Sequence, residues 1–381
     1  MLNNFCFQNP TKLIMGKGMI ARLSKEIPAD KKIMITFGGG SVKRNGVYEQ
    51  VKEALKNHNT VEFWGIEPNP AIETLREAIA LGKAEKVDFL LAVGGGSVID
   101  GTKLISAGLL YDGDAWDLVK KGKADTTVPL GTVLTIPATG SEMNDGAVIS
   151  CKETKEKYAF FSNFPKFSIL DPEVTFSLPD YQIACGIADT FVHVMEQYLT
   201  KAGESRLMDR WAESILQTLV EIAPKIKENK QDYQNMADFM MCATMALNGF
   251  IALGVSQDWA THMIGHEVTA LTGLTHGHTL AIILPGTMDV LRQQKSEKIM
   301  QVGARVFGVS SGTHDFRINE TIRKTREFFN SLGLTTSLSE NNIGREVIDE
   351  IEHRFNERDV HFGEDGLVTG TVAKEILNKV Y

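Results

Sequence analysis

Cysteine, positive charge and long hydrophobic segments are scarce in this chain. Its 381 residues include four cysteines, which are widely spaced and form no C-x-x-C pair. Such spacing does not suggest a disulfide framework and is typical of reduced cytosolic thiols. The formal charge of −8 argues against a nucleic-acid partner, because nucleic-acid binding usually needs a basic surface stripe.

Membrane and targeting segments are also missing from the sequence. No apolar run approaches the roughly 20 residues of a transmembrane helix. The opening residues, MLNNFCFQNP, lack the basic and apolar regions of a signal peptide. The sequence therefore predicts a cytoplasmic protein with no membrane partner. With 43% hydrophobic and 23% charged residues, a chain of this length is expected to fold as two domains.

The first half of the chain alternates between strand-like and helix-like segments. Lys32–Phe37, Val61–Trp64 and Asp88–Val93 are short apolar runs. Between them, 47–57 and 71–86 show helical spacing of apolar residues. Near-continuous apolar strands between amphipathic helices predict a parallel sheet covered on both faces.

The second half of the chain shows helical patterns from Asp180 onward. Predicted helices span residues 180–200, 205–227, 233–253, 256–271, 278–293, 295–307, 317–332 and 369–380. Pro179 and Pro285 are expected to mark helix boundaries. We place the domain boundary at Leu178-Pro179, which predicts an α/β domain of residues 1–178 and an all-helical domain of residues 179–381. A ligand site is expected in a cleft between the two.

Two glycine loops follow strand-like runs in the first half. In Gly94–Ser97, glycines would let backbone N–H groups approach a phosphate at a helix N-terminus. The alternative is that Ser97 and Asp100 only cap that helix. The loop is neither a G-x-G-x-x-G fingerprint nor a P-loop.

The second loop, Gly38–Ser41, is followed by Lys43 and Arg44. No carboxylate lies between Lys31 and Val47 to accept a ribose 2′-OH, whereas hydroxyl and basic groups suit a 2′-phosphate. If this loop meets the adenosine ribose, NADP(H) is favoured over NAD(H). The alternative is a flexible turn with two solvated cations.

A set of aspartate and histidine residues marks the second half. Asp189 and His193 are four residues apart, as are His262 and His266, so each pair can share a helix face. With His276 they offer convergent oxygen and nitrogen donors, which a divalent metal prefers. The alternative is that these residues line separate helix faces. Spacing alone also permits His266 or His278 as a ligand.

Eight ordered motifs carry a family resemblance over nearly the whole chain. They are NPTKLIMGKG, GGGSVKRNGV, IEPNP, LLAVGGGSVIDGTK, TIPATGSE, IADTFVHVMEQY, WATHMIGHEVTA and HGHTLAIILP. In them the sequence resembles the iron-containing, or group III, alcohol dehydrogenases, and most of all the bacterial NADPH-dependent butanol dehydrogenases and aldehyde reductases. The resemblance implies a Rossmann-like α/β dinucleotide-binding domain and an all-α metal-binding and catalytic domain, the architecture shared with dehydroquinate synthase.

The resemblance also implies roles for individual residues. The implied metal ligands are Asp189, His193, His262 and His276. His266 corresponds to the catalytic histidine near nicotinamide and substrate, and Gly39 stands about where NAD-preferring relatives carry an aspartate. The implied cofactor contacts are Gly39, Ser41, Lys43, Asn69, Gly95, Gly96, Ser97, Asp100, Thr139 and Lys157. His278 is expected to face solvent, and the alternative is a supporting polar role.

The implied reaction is reduction of an aldehyde to a primary alcohol, and its reverse. It would use NADP(H) in preference to NAD(H), one divalent metal, Fe(II) or Zn(II), and a small aldehyde or alcohol substrate, in a homodimer. Glycerol-dehydrogenase-like or hydroxyacid-oxoacid transhydrogenase activity are alternatives within the superfamily, as is a dehydroquinate-synthase-like lyase. A non-catalytic nucleotide- or metal-binding protein is the alternative from another class.

Overall fold

A computed structural model of the chain describes residues 2–381. The chain forms two compact units. The α/β unit consists of residues 8–178 and 231–244, and the helical unit of the residues up to Phe7, 179–230 and 245–381. The domain bounds of 1–178 and 179–381 stay a prediction, and the compact units differ from them at the first seven residues and at residues 231–244.

The α/β unit contains a parallel sheet and a separate hairpin. The strands are β1 Lys12–Met15, β2 Lys32–Phe37, β3 Asn59–Phe63, β4 Phe89–Gly94, β5 Leu130–Leu134, β6 Gly146–Cys151, β7 Glu156–Phe161 and β8 Phe167–Leu170. The parallel sheet has the order β1-β8-β5-β4-β2-β3, and β6 pairs antiparallel with β7. The predicted parallel sheet is confirmed.

Both faces of this sheet are apolar because side chains alternate along each strand. On β2, Ile33 and Ile35 belong to one buried cluster with Val47. Met34, between them, belongs to the opposite cluster with Ile99. Helices therefore cover the sheet on both sides, as the apolar runs predicted.

The helices of the two units follow one another along the chain. In the first segment of the α/β unit, residues 8–178, they are α1 Leu23–Glu26, α2 Ser41–Arg44, α3 Val47–Ala54, α4 Ile72–Ala84, α5 Gly96–Gly108 and α6 Ala115–Lys121. Then come α7 Asp180–Tyr198, α8 Arg206–Glu228, α9 Tyr233–Ala246, α10 Ala260–Thr272, α11 His276–Val290, α12 Ser296–Val306, α13 His314–Ser331, α14 Arg345–Glu357 and α15 Gly370–Asn378. Of these, α9 lies mostly within residues 231–244 and so belongs to the α/β unit. The predicted all-α character of the second half is confirmed.

One expectation about these helices is wrong, and one helix was not predicted. Pro285 lies inside α11 and does not end a helix. The helix continues past it because α11 packs against α7, α13 and α15, and this packing outweighs the lost backbone hydrogen bond. Helix α14 was not predicted, although its buried Ile348, Ile351 and Phe355 have helical spacing. In the described part of the chain, no helix is both long and apolar enough to cross a bilayer.

The register of the sheet places the two glycine loops side by side. Phe37, the last residue of β2, pairs with Val93 of β4. The loops after β2 and β4 therefore leave the same carboxyl edge of the sheet. This is the edge at which open parallel sheets bind ligands.

Gly131 tests the packing of the sheet. A Cβ atom at this position of β5 would lie 2.3 Å from Cζ of Phe167, in the buried core. Gly131→Ala should lower the free energy of unfolding by about 1–3 kcal/mol, the usual cost of overpacking. Chemical denaturation measures this. Gly146→Ala in β6 is the control, because a Cβ atom there would lie 3.7 Å from its nearest neighbour, Asn144 Oδ1. Equal effects of the two substitutions on the free energy of unfolding would contradict the packing described.

Candidate metal centre and glycine loops

Three helices of the helical unit present the aspartate and histidine side chains. Helix α7 carries Asp189 and His193 one turn apart, and α10 carries His262 and His266 one turn apart. Helix α10 ends at Thr272, and the chain turns at the following Gly273, whose φ is +74°. Three residues later α11 begins with His276.

The ligand-type atoms of this set converge. Asp189, His262 and His276 each offer an atom, and these atoms lie within 4.8 Å of one another. His193 is not one of these three, but its Nδ1 lies 3.6 Å from Asp189 Oδ1. His262 Nε2 is 3.7 Å from the same oxygen. The alternative of separate helix faces is therefore wrong for Asp189, His262 and His276.

The donors fit a divalent cation. Within residues 2–381, the buried atoms His193 Nδ1 and His262 Nε2 make no hydrogen bond. A buried polar atom in this state costs free energy, which a cation at this point would remove. One carboxylate and several imidazoles suit both Fe(II) and Zn(II).

Burial and charge set the protonation of the two stacked imidazoles, whose ring centres are 4.5 Å apart. Burial lowers the pKa of His193 to about 4, so this ring is neutral near pH 7, as a metal ligand must be. Burial also acts to lower the pKa of His262, but the carboxylates of Glu196 and Asp189 outweigh it and raise this pKa to about 9. A proton therefore competes with a cation at His262.

His266 and His278 lie next to this set but differ in their surroundings. The ring of His266 is buried, with its centre 4.9 Å from that of His276 and 6.3 Å from that of His262. His278 was expected to face solvent, and this is wrong. It is buried, and its ring nitrogens contact the Tyr181 hydroxyl at 3.1 Å and the Thr335 carbonyl at 3.0 Å.

The loop after β4 leads directly into α5. The helix begins at Gly96, and its N-cap, Gly95, forms no side-chain cap. The alternative of a cap by Ser97 and Asp100 is therefore wrong. Ser97 Oγ accepts the backbone N–H of Asn69, and Asp100 accepts the Ser141 hydroxyl and the Val148 N–H.

Several predicted cofactor residues gather around this loop. Lys157 Nζ donates to Asn69 Oδ1 over 2.9 Å, and Asn69 has a positive φ of 54°. A Cβ atom at Gly96 would lie 2.3 Å from Thr139 Oγ1. Glycine is therefore required where Thr139 approaches the first turn of α5.

Lys103 is an important residue of this region that sequence reasoning missed. It is fully buried, and its Nζ donates to the Ser141 carbonyl and hydroxyl, Asn144 Oδ1 and the Gly146 carbonyl. Burial lowers its pKa to about 8, although Asp100 opposes this. Its place in the D-x-x-K of the glycine motif was the available signal. Lys103 ties the loop after β5 to α5.

The loop after β2 is exposed at Gly39 and is followed by Lys43, whose amino group contacts an aromatic ring. Gly40 adopts a φ of +93°, and α2 begins at Ser41. Apart from its two chain neighbours, no described residue has an atom within 4 Å of a Cβ built on the exposed Gly39. Lys43 Nζ lies 4.0 Å from the ring centre of Trp64, which in turn stacks on Phe37. Lys43 is thus held by a cation–π contact and does not extend freely into solvent.

Comparison with known proteins gives the family. Residues 10–172 match the family "Iron-containing alcohol dehydrogenase", and residues 183–379 match "Fe-containing alcohol dehydrogenase family, C-terminal". The chain belongs to the iron-containing alcohol dehydrogenases. The resemblance inferred from the motifs is confirmed.

Relatives within the iron-containing alcohol dehydrogenases cover nearly the whole chain. The NADPH-dependent aldehyde reductase YqhD of Escherichia coli is 47% identical over 98% of this chain and 99% of its own. Its crystal structure superposes with a TM-score of 0.98, covering 100% and 99% of the two chains at 46% identity. A probable NADH-dependent butanol dehydrogenase of Bacillus subtilis is 44% identical over 92% of each chain. NADH-dependent butanol dehydrogenase A of Thermotoga maritima has a TM-score of 0.95, covering 100% and 99% at 35% identity.

Two further residues adjoin the candidate metal centre of this family member. Trp259 has a φ of +67° just before α10, and its ring centre is 5.3 Å from His262 and 6.2 Å from His193. A non-glycine residue in this conformation is uncommon and often marks a functional site. Glu196 lies on α7 and contacts the His262 ring, and sequence reasoning missed this residue. Its spacing of seven from Asp189 placed it on the same helix face.

Replacing a proposed ligand of the candidate metal centre should lower its affinity for metal. We expect Asp189→Asn and His276→Ala to weaken binding of Zn(II) by more than the roughly 10–100-fold that loss of a supporting residue costs. Elemental analysis and chelator competition measure this. His353→Gln, at an exposed position of α14, is the control. Full metal content in both ligand variants would show that the cation binds elsewhere.

Proposed function

We propose that this protein is a metal-dependent oxidoreductase that reduces aldehydes to primary alcohols with NADPH, and that it also catalyses the reverse reaction. The observation that carries the proposal is the convergence of Asp189, His262 and His276 within 4.8 Å in a member of the iron-containing alcohol dehydrogenases. The E. coli relative at 47% identity is an NADPH-dependent aldehyde reductase. The butanol dehydrogenases act on the corresponding alcohol class.

In this proposal Asp189, His193, His262 and His276 hold Fe(II) or Zn(II). When bound, such a cation would supply Lewis-acid polarisation of the carbonyl oxygen of the aldehyde. A single carboxylate neutralises only part of the charge of a dication, so the donor set preserves its attraction for that oxygen. His266, buried beside His276, is placed to pass a proton to the product oxygen, and Trp259 offers an apolar wall beside the ligands.

The proposed pyrophosphate site is the loop between β4 and α5. Gly95, Gly96 and Ser97 lie at the N-terminus of α5, where their backbone N–H groups can donate to a phosphate. The helix dipole at this end also favours negative charge. Asn69 and Lys157, already hydrogen-bonded to each other beside Ser97, supply further donors. Thr139 and Asp100 complete this group, since Asp100 ties the first turn of α5 to Ser141 and Val148.

The loop after β2 supports a preference for NADPH over NADH. The relatives do not decide this, because some are NADH-dependent and others are NADPH- or NADP-dependent. Here the exposed Gly39 offers no carboxylate to a ribose hydroxyl and leaves room for a phosphate. Ser41 and Lys43 offer a hydroxyl and a cation at the same loop.

We also propose a cytoplasmic location and a homodimer. Scattered free cysteines, three of them buried, agree with a reducing compartment. Two-fold dimers are the commonest soluble assemblies, and the exposed apolar residues Leu2, Phe5 and Phe7 are candidates for such an interface. Light scattering should give the mass of two chains; the mass of one chain would contradict the dimer.

The direct test of the activity uses butanal and the absorbance of NADPH. Metal-loaded protein should oxidise NADPH with butanal, and should prefer NADPH to NADH by specificity constant. The NADP⁺-dependent oxidation of butanol should also be measurable. If metal-replete protein oxidises neither cofactor with several aldehydes, the enzyme proposal is wrong.

Lys43 should contribute to the preference for NADPH. Loss of an exposed charge contact to a phosphate costs about 1 kcal/mol, so Lys43→Ala should raise the KM for NADPH roughly three- to tenfold. The KM for NADH should change little, because NADH lacks the 2′-phosphate. Lys56→Ala, at another exposed lysine, is the control. Equal effects of Lys43→Ala on both cofactors would assign Lys43 a role unrelated to the phosphate.

A further inference from the structure

We infer that Glu196 is a positioning residue that holds His262 in the tautomer presenting Nε2 to the metal. The inference rests on the proposed function, since it concerns the metal that the function requires. Neither the sequence motifs nor the proposed set of metal ligands assigns this role to Glu196. Loss of Glu196 should therefore weaken metal binding although Glu196 is not a ligand.

Glu196 is buried between two of the helices that form the centre. It lies on α7, three residues after His193 and seven after Asp189, and is 2% exposed. Its two carboxylate oxygens are directed at the start of α10. Oε1 accepts the N–H of Thr261, Oε2 accepts the N–H of His262 over 3.2 Å, and Oε2 also contacts Nδ1 of the His262 ring.

The contact with Nδ1 determines the position of the ring proton. A neutral imidazole has one nitrogen that donates and one that accepts, and a carboxylate only accepts. Nδ1 must therefore carry the proton and donate it to Glu196. In the neutral ring that a cation requires, the lone pair is then on Nε2. This buried atom makes no hydrogen bond within residues 2–381 and lies 3.7 Å from Asp189 Oδ1.

The aromatic contacts of the His262 ring do not make this choice. His193 stacks on it at 4.5 Å, and the edge contact with Trp259 is at 5.3 Å. Such ring contacts fix the plane of the imidazole, but they are the same for either tautomer. Outer carboxylates of this kind orient metal-binding histidines and raise their basicity in many metal sites.

A purely structural role for Glu196 gives a different expectation. Glu196 also accepts N–H groups of the first turn of α10, whose N-cap residue Trp259 forms no side-chain cap. If capping were its whole task, its loss would destabilise the metal-free and metal-loaded protein equally. Metal affinity would then be unchanged.

Glu196→Gln separates these two roles. Glutamine retains the size and one oxygen that can accept a backbone N–H, but its amide can also donate to Nδ1, so the other tautomer of His262 becomes accessible. Titration with Co(II), followed by its visible absorption, should show a dissociation constant raised roughly 10–100-fold and an altered band shape. In the His262→Ala background, Glu196→Gln should cause no comparable further loss.

The matched control is Glu213→Gln. Glu213 is another buried carboxylate of the helical unit, bound by the Tyr198 hydroxyl and by Arg305. It should bind Co(II) within about twofold of the unsubstituted protein, because Glu213 contacts no proposed ligand. If Glu196→Gln also binds Co(II) within about twofold, whatever its melting temperature, the positioning role is wrong.

A measurement on the unsubstituted protein tests the inference even if Glu196→Gln does not fold. Nitrogen-15 spectra of labelled histidine in the Zn(II)-loaded protein should show His262 protonated at Nδ1 and bound at Nε2, with His262→Ala giving the assignment. The opposite assignment would overturn the inference but leave the proposed function in place. If the unsubstituted protein binds neither Co(II) nor Zn(II), both the inference and the proposed function are wrong.

Discussion

The candidate metal centre depends on close contact between α7 and α11. A Cβ atom at Gly277 would lie 2.2 Å from the backbone carbonyl oxygen of Cys185, so only glycine permits this approach. Gly277 directly follows His276, and Cys185 lies one helical turn before Asp189. The contact therefore sets the distance between a carboxylate on one helix and an imidazole at the start of another. A third helix, α10, adds His262 within the same 4.8 Å.

In the α/β unit, strand register and a buried lysine determine the positions of the loops. The register of β2 and β4 places both loops at one edge of the sheet. Lys103, without exposed surface, joins the loop after β5 to α5 through four hydrogen bonds, beside the buried carboxyls of Asp100 and Glu142. Burial raises the pKa of both carboxyl groups. A buried polar network of this kind is stable only while its members are paired, so these hydrogen bonds fix the loop after β5 against α5, the helix that follows the loop Gly94–Ser97.

The positions of helices and strands could be predicted from the sequence better than the distances between side chains on different helices. Apolar runs located β2 and β4, and the four-residue spacing correctly placed Asp189 with His193 on one helix and His262 with His266 on another. Spacing along a helix cannot show how separate helices meet, so it left the choice among His266, His276 and His278 open. Pro285 was misread because burial on several sides keeps α11 helical. Glu196 was missed because a glutamate on a helix is usually exposed.

X-ray absorption at the metal edge tests the central claim most directly. The account predicts, in Zn(II)-loaded protein, a shell of nitrogen and oxygen donors at about 2.0–2.2 Å with the outer-shell scattering of imidazole rings. Asp189→Asn and His262→Ala should each disrupt that spectrum. A sulfur donor at about 2.3 Å, or an oxygen shell without imidazole, would contradict the assignment of the cation to these helices.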